Sequence, residues 1–210
     1  MVDKLNIGVF ASGMGSNFLA ILNAIKQGII PNAEIAIVVS NKADAGALEI
    51  ARANNVPAVH LDQKQFASER EFTDALLMAL AKHRVNFIVL AGYLKKLSGE
   101  TIRRFRNRIV NIHPGLLPAF GGKGMYGLRV HEAVIARNEK ISGASVHIVD
   151  EEYDHGPVVL QRTVEVSSDD TPKSLAEKIL NIEHQLYPEA IRLFAEGKIQ
   201  VSGQSVKILH

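Results

Sequence analysis

The chain contains no cysteine and no tryptophan. Without cysteine there is no disulfide, no thiolate zinc site and no cysteine nucleophile, and a metal would need His and carboxylate ligands. An excess of one charge is also missing. Against 24 Lys and Arg stand 22 Asp and Glu, and a net charge of +2 is too small to argue for a nucleic-acid partner. Long hydrophobic runs are absent: stretches such as Phe87 to Ala91 fall far short of the roughly 20 residues that span a bilayer. The start, Met1-Val2-Asp3-Lys4-Leu5-Asn6-Ile7, lacks the basic segment and apolar stretch of a secretory leader. A soluble cytoplasmic protein that binds neither membrane nor nucleic acid is expected. What is present is ordinary globular composition, 47% hydrophobic and 22% charged over 210 residues. A chain of that length buries about 70% of its unfolded surface and needs no staples. With no repeat, linker or low-complexity segment, residues 1–210 read as one domain.

Short apolar runs alternate with amphipathic ones. Asn6–Ala11, Glu34–Ser40, Phe87–Gly92 and Ile109–Ile112 are apolar on both faces, as strands buried in a parallel sheet are. Between them, residues 17–27 place Phe18, Ile21, Leu22 and Ile25 on one helical face, and 68–83 do the same with Phe72, Leu76, Leu77 and Leu80. A further helix is expected over about 45–54, with Asp44 as its N-cap. This alternation predicts a doubly wound α/β sheet. Later, Ser145–Val149 and Val158–Val166 alternate apolar with polar residues, as half-exposed strands do, and Asp154-His155-Gly156-Pro157 turns between them as an antiparallel pair. A helix over about 172–196 starts at an N-cap Thr171 and should kink or break at Pro188. The tail, 199–209, reads as a hairpin around Ser202-Gly203.

Three places carry chemistry. Ala11-Ser12-Gly13-Met14-Gly15-Ser16-Asn17 joins the first strand to the first helix. Glycines there let backbone approach a ligand, and the helix N-terminus offers free N–H groups to a phosphate. A plain βα turn capped by Ser or Asn accounts for the loop equally well. Phe18 fills the third-glycine place of a dinucleotide fingerprint, and the second strand ends in Val39-Ser40-Asn41-Lys42 without an acid, so a phosphate monoester fits better than NAD. In Val110-Asn111-Ile112-His113-Pro114, period-2 geometry puts Asn111 and His113 on one side of a strand end. His can trade a proton near neutral pH and Asn can donate to an oxyanion; a structural His at a strand end is the alternative. Asp154, in its turn, can orient an imidazole and raise its pKa, or serve turn chemistry alone. Arg103, Arg104, Arg106 and Arg108 read as the solvated face of a short helix, with Phe105 as a core contact.

In order along the chain, Gly13-Met14-Gly15-Ser16-Asn17, Val39–Ala45, Val89–Leu97, Val110–Pro118, Gly143–His147, Asp154–Gln161 and Glu183–Pro188 resemble the phosphoribosylglycinamide formyltransferases nearly end to end. The resemblance implies a Rossmann-like formyltransferase fold: a mainly parallel sheet with antiparallel C-terminal strands and helices on both faces. It divides the domain into a phosphate-binding N-terminal half and a folate and catalytic C-terminal half. It implies formyl transfer from 10-formyltetrahydrofolate to 5'-phosphoribosylglycinamide in purine synthesis, without a metal, by a monomer or weak homodimer. Gly15, Ser16 and Asn17 would hold the phosphate and Glu183 the ribose. Asn111, His113 and Asp154 would be catalytic, with Asp154 keeping His113 protonated and oriented. Leu94, Lys95, Lys96 and Leu97 would line the folate pocket, which Asn111 also reaches. The family's folate-side arginine falls at Glu69 here, so Arg70 is carried over in its place. The segment Phe120–Gly127 is longer and richer in glycine than in many members, and Lys123 in it is a candidate phosphate partner. Methionyl-tRNA formyltransferases carry an additional tRNA-binding domain, for which 210 residues leave no room. A formyltetrahydrofolate hydrolase or a non-catalytic phosphate-ester-binding module are the rival readings.

Overall fold

The structure, a computed structural model, describes residues 3–209. Strands β1 (Leu5–Phe10), β2 (Ala33–Ser40), β3 (Ala58–His60), β4 (Phe87–Leu90) and β5 (Ile109–His113) are parallel. Strands β6 (Ile141–Ile148) and β7 (Val158–Glu165) add antiparallel at one edge, giving the order β3-β2-β1-β4-β5-β6-β7. A separate hairpin, β8 (Ile199–Ser202) and β9 (Ser205–Ile208), forms the tail as expected.

Side-chain alternation along each strand separates two cores. Ile7 and Val9 of β1, Phe87 and Val89 of β4, and Val110 and Ile112 of β5 face one side. There they meet α1 (Ser16–Lys26), α2 (Gly46–Ala53), α5 (Leu128–Ala136) and α6 (Pro172–Ala195). Phe10, Ile88, Leu90 and Ile109 face the other side, against α3 (Glu69–Lys82) and α4 (Gly99–Arg104). By the same period-2 rule Asn111 and His113 follow Ile109 onto the α3–α4 side, past the last core residue of β5.

The chain winds outward from β1 through β2 to β3, then returns to the other side of β1 for β4 and β5. Loops leaving β1 and β4 therefore part at a switch point, where open α/β sheets bind ligands. Ser12 ties the two loops together: its N–H donates to the Gly92 carbonyl, the Leu94 N–H donates to its Oγ, and its hydroxyl donates to Asn41 at the end of β2.

Several expectations are corrected. Asp44 does not cap α2; the N-cap is Ala45, and the Ala47 N–H is taken by the Gly13 carbonyl, 3.2 Å away. A tertiary acceptor thus replaces the side-chain cap. Pro188 does not break α6, which runs on for 24 residues with Pro188 buried inside it. The adjacent Tyr187 hydroxyl lies 3.0 Å from the carbonyls of both Leu90 and Val110 and donates into that pair, pinning the helix where Pro188 removes an internal bond. Strand β6 is not half-exposed: every residue after Ile141 is buried. Its Ser145 and His147 bond protein partners instead of water, while the Ser142 hydroxyl is buried without one. Arg106 and Arg108 lie beyond the end of α4, which stops at Arg104, while Phe105 is a core residue. Strand β3 and helix α5 were not expected. Thr171 caps α6 with a reciprocal Ser174 bond, as expected, and Ser68 caps α3.

Tyr187→Phe leaves two buried carbonyls without their shared donor. Both carbonyls keep their ladder donors from the β4–β5 pairing, so the loss is one buried hydrogen bond, about 0.5–1.5 kcal/mol of unfolding free energy in a urea titration; an unchanged midpoint would show that the phenol does not anchor α6.

Candidate functional site

Beyond the carboxyl ends of β1, β4 and β5 lies a cavity of about 760 Å³. Its floor is the end of β5, with Asn111, Ile112, His113 and Pro114. One flank is the segment after β4, from Gly92 to Leu97, with Ile102, Val149 and Tyr153. At the other end stand Asn17 of α1 and Ala176, Leu180 and Glu183 of α6, faced by residues 122–129.

The catalytic candidates meet. His113, 3% exposed, places Nε2 2.7 Å from the Phe120 carbonyl. A carbonyl only accepts, so Nε2 carries the hydrogen, and Nδ1 is turned to Asp154 Oδ2 at 3.6 Å. A second imidazole, His147 of β6, repeats the pattern. Its Nδ1 donates to the Ile148 carbonyl at 2.9 Å, and its Nε2 stands 3.1 Å from the Asn111 amide nitrogen and 3.6 Å from Asp154 Oδ1. With Nε2 bare, Asn111 donates to it and keeps its other amide hydrogen for the cavity. Both imidazoles thus turn their second nitrogen to one carboxylate.

Burial lowers the His113 pKa from its usual value, and the pull of Asp154 and the Phe120 carbonyl, which oppose it, do not overcome it. His113 is therefore neutral near pH 7 in this state, contrary to the expectation that Asp154 holds it protonated. Burial works to raise the Asp154 carboxyl, but the neighbouring His147 and His113 and the Gly122 N–H, which donates to Oδ2 at 3.0 Å, together bring it below its ordinary range. Asp154 itself adopts a left-handed φ of 53°, which fits its turn.

Asn17 is 9% exposed, and its amide donates to Glu183 Oε2 at 2.7 Å. Its Oδ1 is buried without a partner. Burial pushes the Glu183 carboxyl up to about 7, with only the Asn17 bond pulling it down. Neither Ser16 nor Asn17 caps α1; the N-cap is Gly15, at φ 83°, and no side chain covers the helix start. A Cβ on Gly15 would come within 2.8 Å of the Ala47 backbone, so both conformation and space hold glycine there. Leu94, Lys95, Lys96 and Leu97 line the cavity. Arg70 does not: it lies exposed on α3, 4.0 Å from Asp74.

Residues not singled out beforehand complete the site. His147 comes to it because β5 and β6 pair antiparallel with Asn111 opposite His147, a register that sequence spacing does not reveal. Ser145, also on β6, donates to the Gly115 carbonyl and accepts from the Leu117 N–H and the Gln161 amide, fixing the loop that leaves His113. His131 of α5 is buried in the cavity wall; burial, and secondarily the neighbouring His113 imidazole, lower its pKa to about 4. Among the described residues no group of three His, Cys, Asp or Glu is placed to hold a metal ion, and no helix is long and apolar enough to cross a membrane.

A doubly wound α/β sheet thus carries an imidazole–carboxylate–amide cluster in the cleft at its switch point. The chain belongs to the formyl transferase family, whose model matches residues 5–191. It is 37% identical over 195 residues to phosphoribosylglycinamide formyltransferase of Haemophilus influenzae, covering 93% of this chain and 89% of that protein. It is 43% identical to the chloroplastic phosphoribosylglycinamide formyltransferase of Vigna unguiculata over 94% of this chain, but spans only 63% of that longer protein. The crystal structure of glycinamide ribonucleotide transformylase 1 from Symbiobacterium toebii superposes with a TM-score of 0.92 at 42% identity, over 99% of this chain and 95% of that one.

Glu183 should make stability depend on pH. Its folded pKa of about 7 lies above the ordinary 4.5, so folding favours the neutral acid. Stability is fully kept below pH 4.5, falls as pH rises towards 7, and levels off above. The difference is about 3 kcal/mol from a shift of this size. Urea midpoints at pH 5 and pH 8 should diverge less in Glu183→Gln than in the unmodified protein; equal divergence would refute the burial of an uncompensated carboxyl.

Proposed function

We propose that this chain transfers the formyl group of 10-formyltetrahydrofolate to the glycine amine of 5'-phosphoribosylglycinamide, in purine (IMP) synthesis. The observation that carries the proposal is the convergence of Asn111, His113 and Asp154 in one cavity that Asn17 of α1 and residues 92–97 also line. The ribonucleotide takes the end formed by Asn17 and Glu183. Its phosphate lies against the N–H groups at Gly15, Ser16 and Asn17, and Glu183 accepts from ribose hydroxyls. The folate takes the flank formed by residues 92–97, where Leu94 and Leu97 supply apolar surface beside Lys95 and Lys96.

The amine attacks the formyl carbon, forming a C–N bond and pushing the carbonyl electrons onto oxygen. The free amide hydrogen of Asn111 meets that oxyanion; such a donor is typically worth ~3 kcal/mol. The attacking nitrogen now carries a proton too many. His113, neutral and with Nδ1 unspent, takes it, and Asp154 at 3.6 Å stabilises the imidazolium that results. The proton then goes to the folate nitrogen as its bond to the formyl carbon breaks, and His113 is neutral again. No covalent enzyme intermediate is formed. Holding both substrates in register supplies several kcal/mol more.

The test is an absorbance assay of 10-formyltetrahydrofolate deformylation with and without the ribonucleotide. Turnover that requires the ribonucleotide is expected. Turnover without it would indicate a hydrolase, and none at all a binding module. Asp154→Asn and His113→Ala should each lower turnover by roughly a hundredfold or more, the scale of a lost acid–base or oxyanion group, with folding intact by circular dichroism. Near-normal turnover of either folded variant would overturn the mechanism.

A further inference from the structure

The charges in the cavity are unevenly placed. Its Lys and Arg side chains are Lys95 and Lys96, in the segment after β4, and Lys123 and Arg129, in the segment 122–129. Where the helices meet, α6 presents Ala176, Leu180 and Glu183 and α1 presents Asn17, so neither brings a cation. A phosphate ester carries roughly −1.5 to −2 at pH 7, and a helix start supplies only about +0.5. The remaining charge has to be met from the opposite wall.

Arg129 stands where nothing in the local fold asks for a cation. It is the second residue of α5, in the first turn, where the helix dipole disfavours positive charge. That turn contains no acidic residue, and its N-cap, Gly127, leaves the helix start without a side-chain cap. Among the described residues no carboxylate lies within ion-pair reach of Arg129, whereas Arg103, Arg162 and Arg192 each pair with a glutamate. Its guanidinium instead rests over the Tyr126 ring, 5.0 Å from the centroid, a contact that limits its motion without neutralising it. Asn17, which also lines the cavity, is nine-tenths buried with Oδ1 unpartnered, so its hydrogen bonding is incomplete without a ligand. Lys123 lies between Gly122 and Gly124, both at positive φ, and no aromatic ring or carboxylate positions it.

We propose that Arg129, braced on Tyr126 at the uncapped start of α5, is the phosphate-specificity residue of this site. Its planar fork takes two phosphate oxygens while the start of α1 takes the others. The inference rests on the formyl-transfer reading above and assigns within it the residue that tells the ribonucleotide from the riboside.

The experiment compares kcat/KM for 5'-phosphoribosylglycinamide and for its dephosphorylated riboside, in the unmodified protein, Arg129→Ala, Lys123→Ala, Tyr126→Ala and Tyr126→Phe. Arg129→Ala should shrink the ratio of the two substrates by roughly 10–100-fold, the scale of a lost charge-assisted bidentate contact. Tyr126→Ala should shrink it less, and Tyr126→Phe should restore it, since phenylalanine keeps the ring face. Added salt should depress ribonucleotide turnover more in the unmodified protein than in Arg129→Ala. An Arg129→Ala that loses equally on both substrates, or leaves the ribonucleotide unaffected, overturns the inference alone. So does a ratio that collapses only in Lys123→Ala. An unmodified protein that cannot use the ribonucleotide overturns the formyl-transfer reading, and this inference with it.

Discussion

The Tyr187 hydroxyl, buried under the sheet and shared between the carbonyls of Leu90 and Val110, sets the frame for the cleft. Those carbonyls belong to adjacent parallel strands, one at the end of β4 and one just before Asn111. A single phenol thus references α6 to the strand ends that carry the chemistry. Glu183 lies one helical turn before Tyr187 and so is held at a fixed height above the strand ends, where Asn17 of α1 can reach it. Moving α6 by a turn would separate that pair and break the phenol's tie to the strand ends. Pro188 is tolerated because the anchoring beside it comes from outside the helix.

Within that frame the chemistry depends on an incomplete set of protons. Two backbone carbonyls, of Phe120 and Ile148, dictate which nitrogen of each imidazole is protonated. The remaining nitrogens point at Asp154, which also receives the Gly122 N–H. A proton arriving at either imidazole converts a lone pair facing a carboxylate into an ion pair. The cluster is built to receive a proton and to release it without gaining a net charge of its own.

The parallel half of the fold was legible because its signals are local. Apolar strands such as Phe87–Leu90 and helical stripes such as Phe18, Ile21 and Leu22 state their partners through period alone. So did Asn111 and His113, two apart at a strand end. What escaped depends on contacts distant in sequence. Ser145 and His147 of β6 are polar because they bond the Gly115 loop and Asn111; alternation made them look solvent-facing. Asp44 had cap chemistry, yet the Gly13 carbonyl reached the helix first. Helix α5 lies behind a run of glycines that reads as loop, and β3 has only three residues. The protonation of His113 is a balance between burial and Asp154, and burial is not written in a motif.

The two ends of the cavity are encoded apart. One wall comes mainly from the segment after β4, with Ile102, Val149 and Tyr153; the other is assembled from α1, α6 and residues 122–129; the end of β5 belongs to both. Each wall can therefore vary in sequence without re-registering the other, so long as Asn111 and His113 stay put. Such a site can drift in its preference for one ligand while retaining the second, and a graft of residues 122–129 between relatives would carry a recognition trait without disturbing the strand ends beneath it.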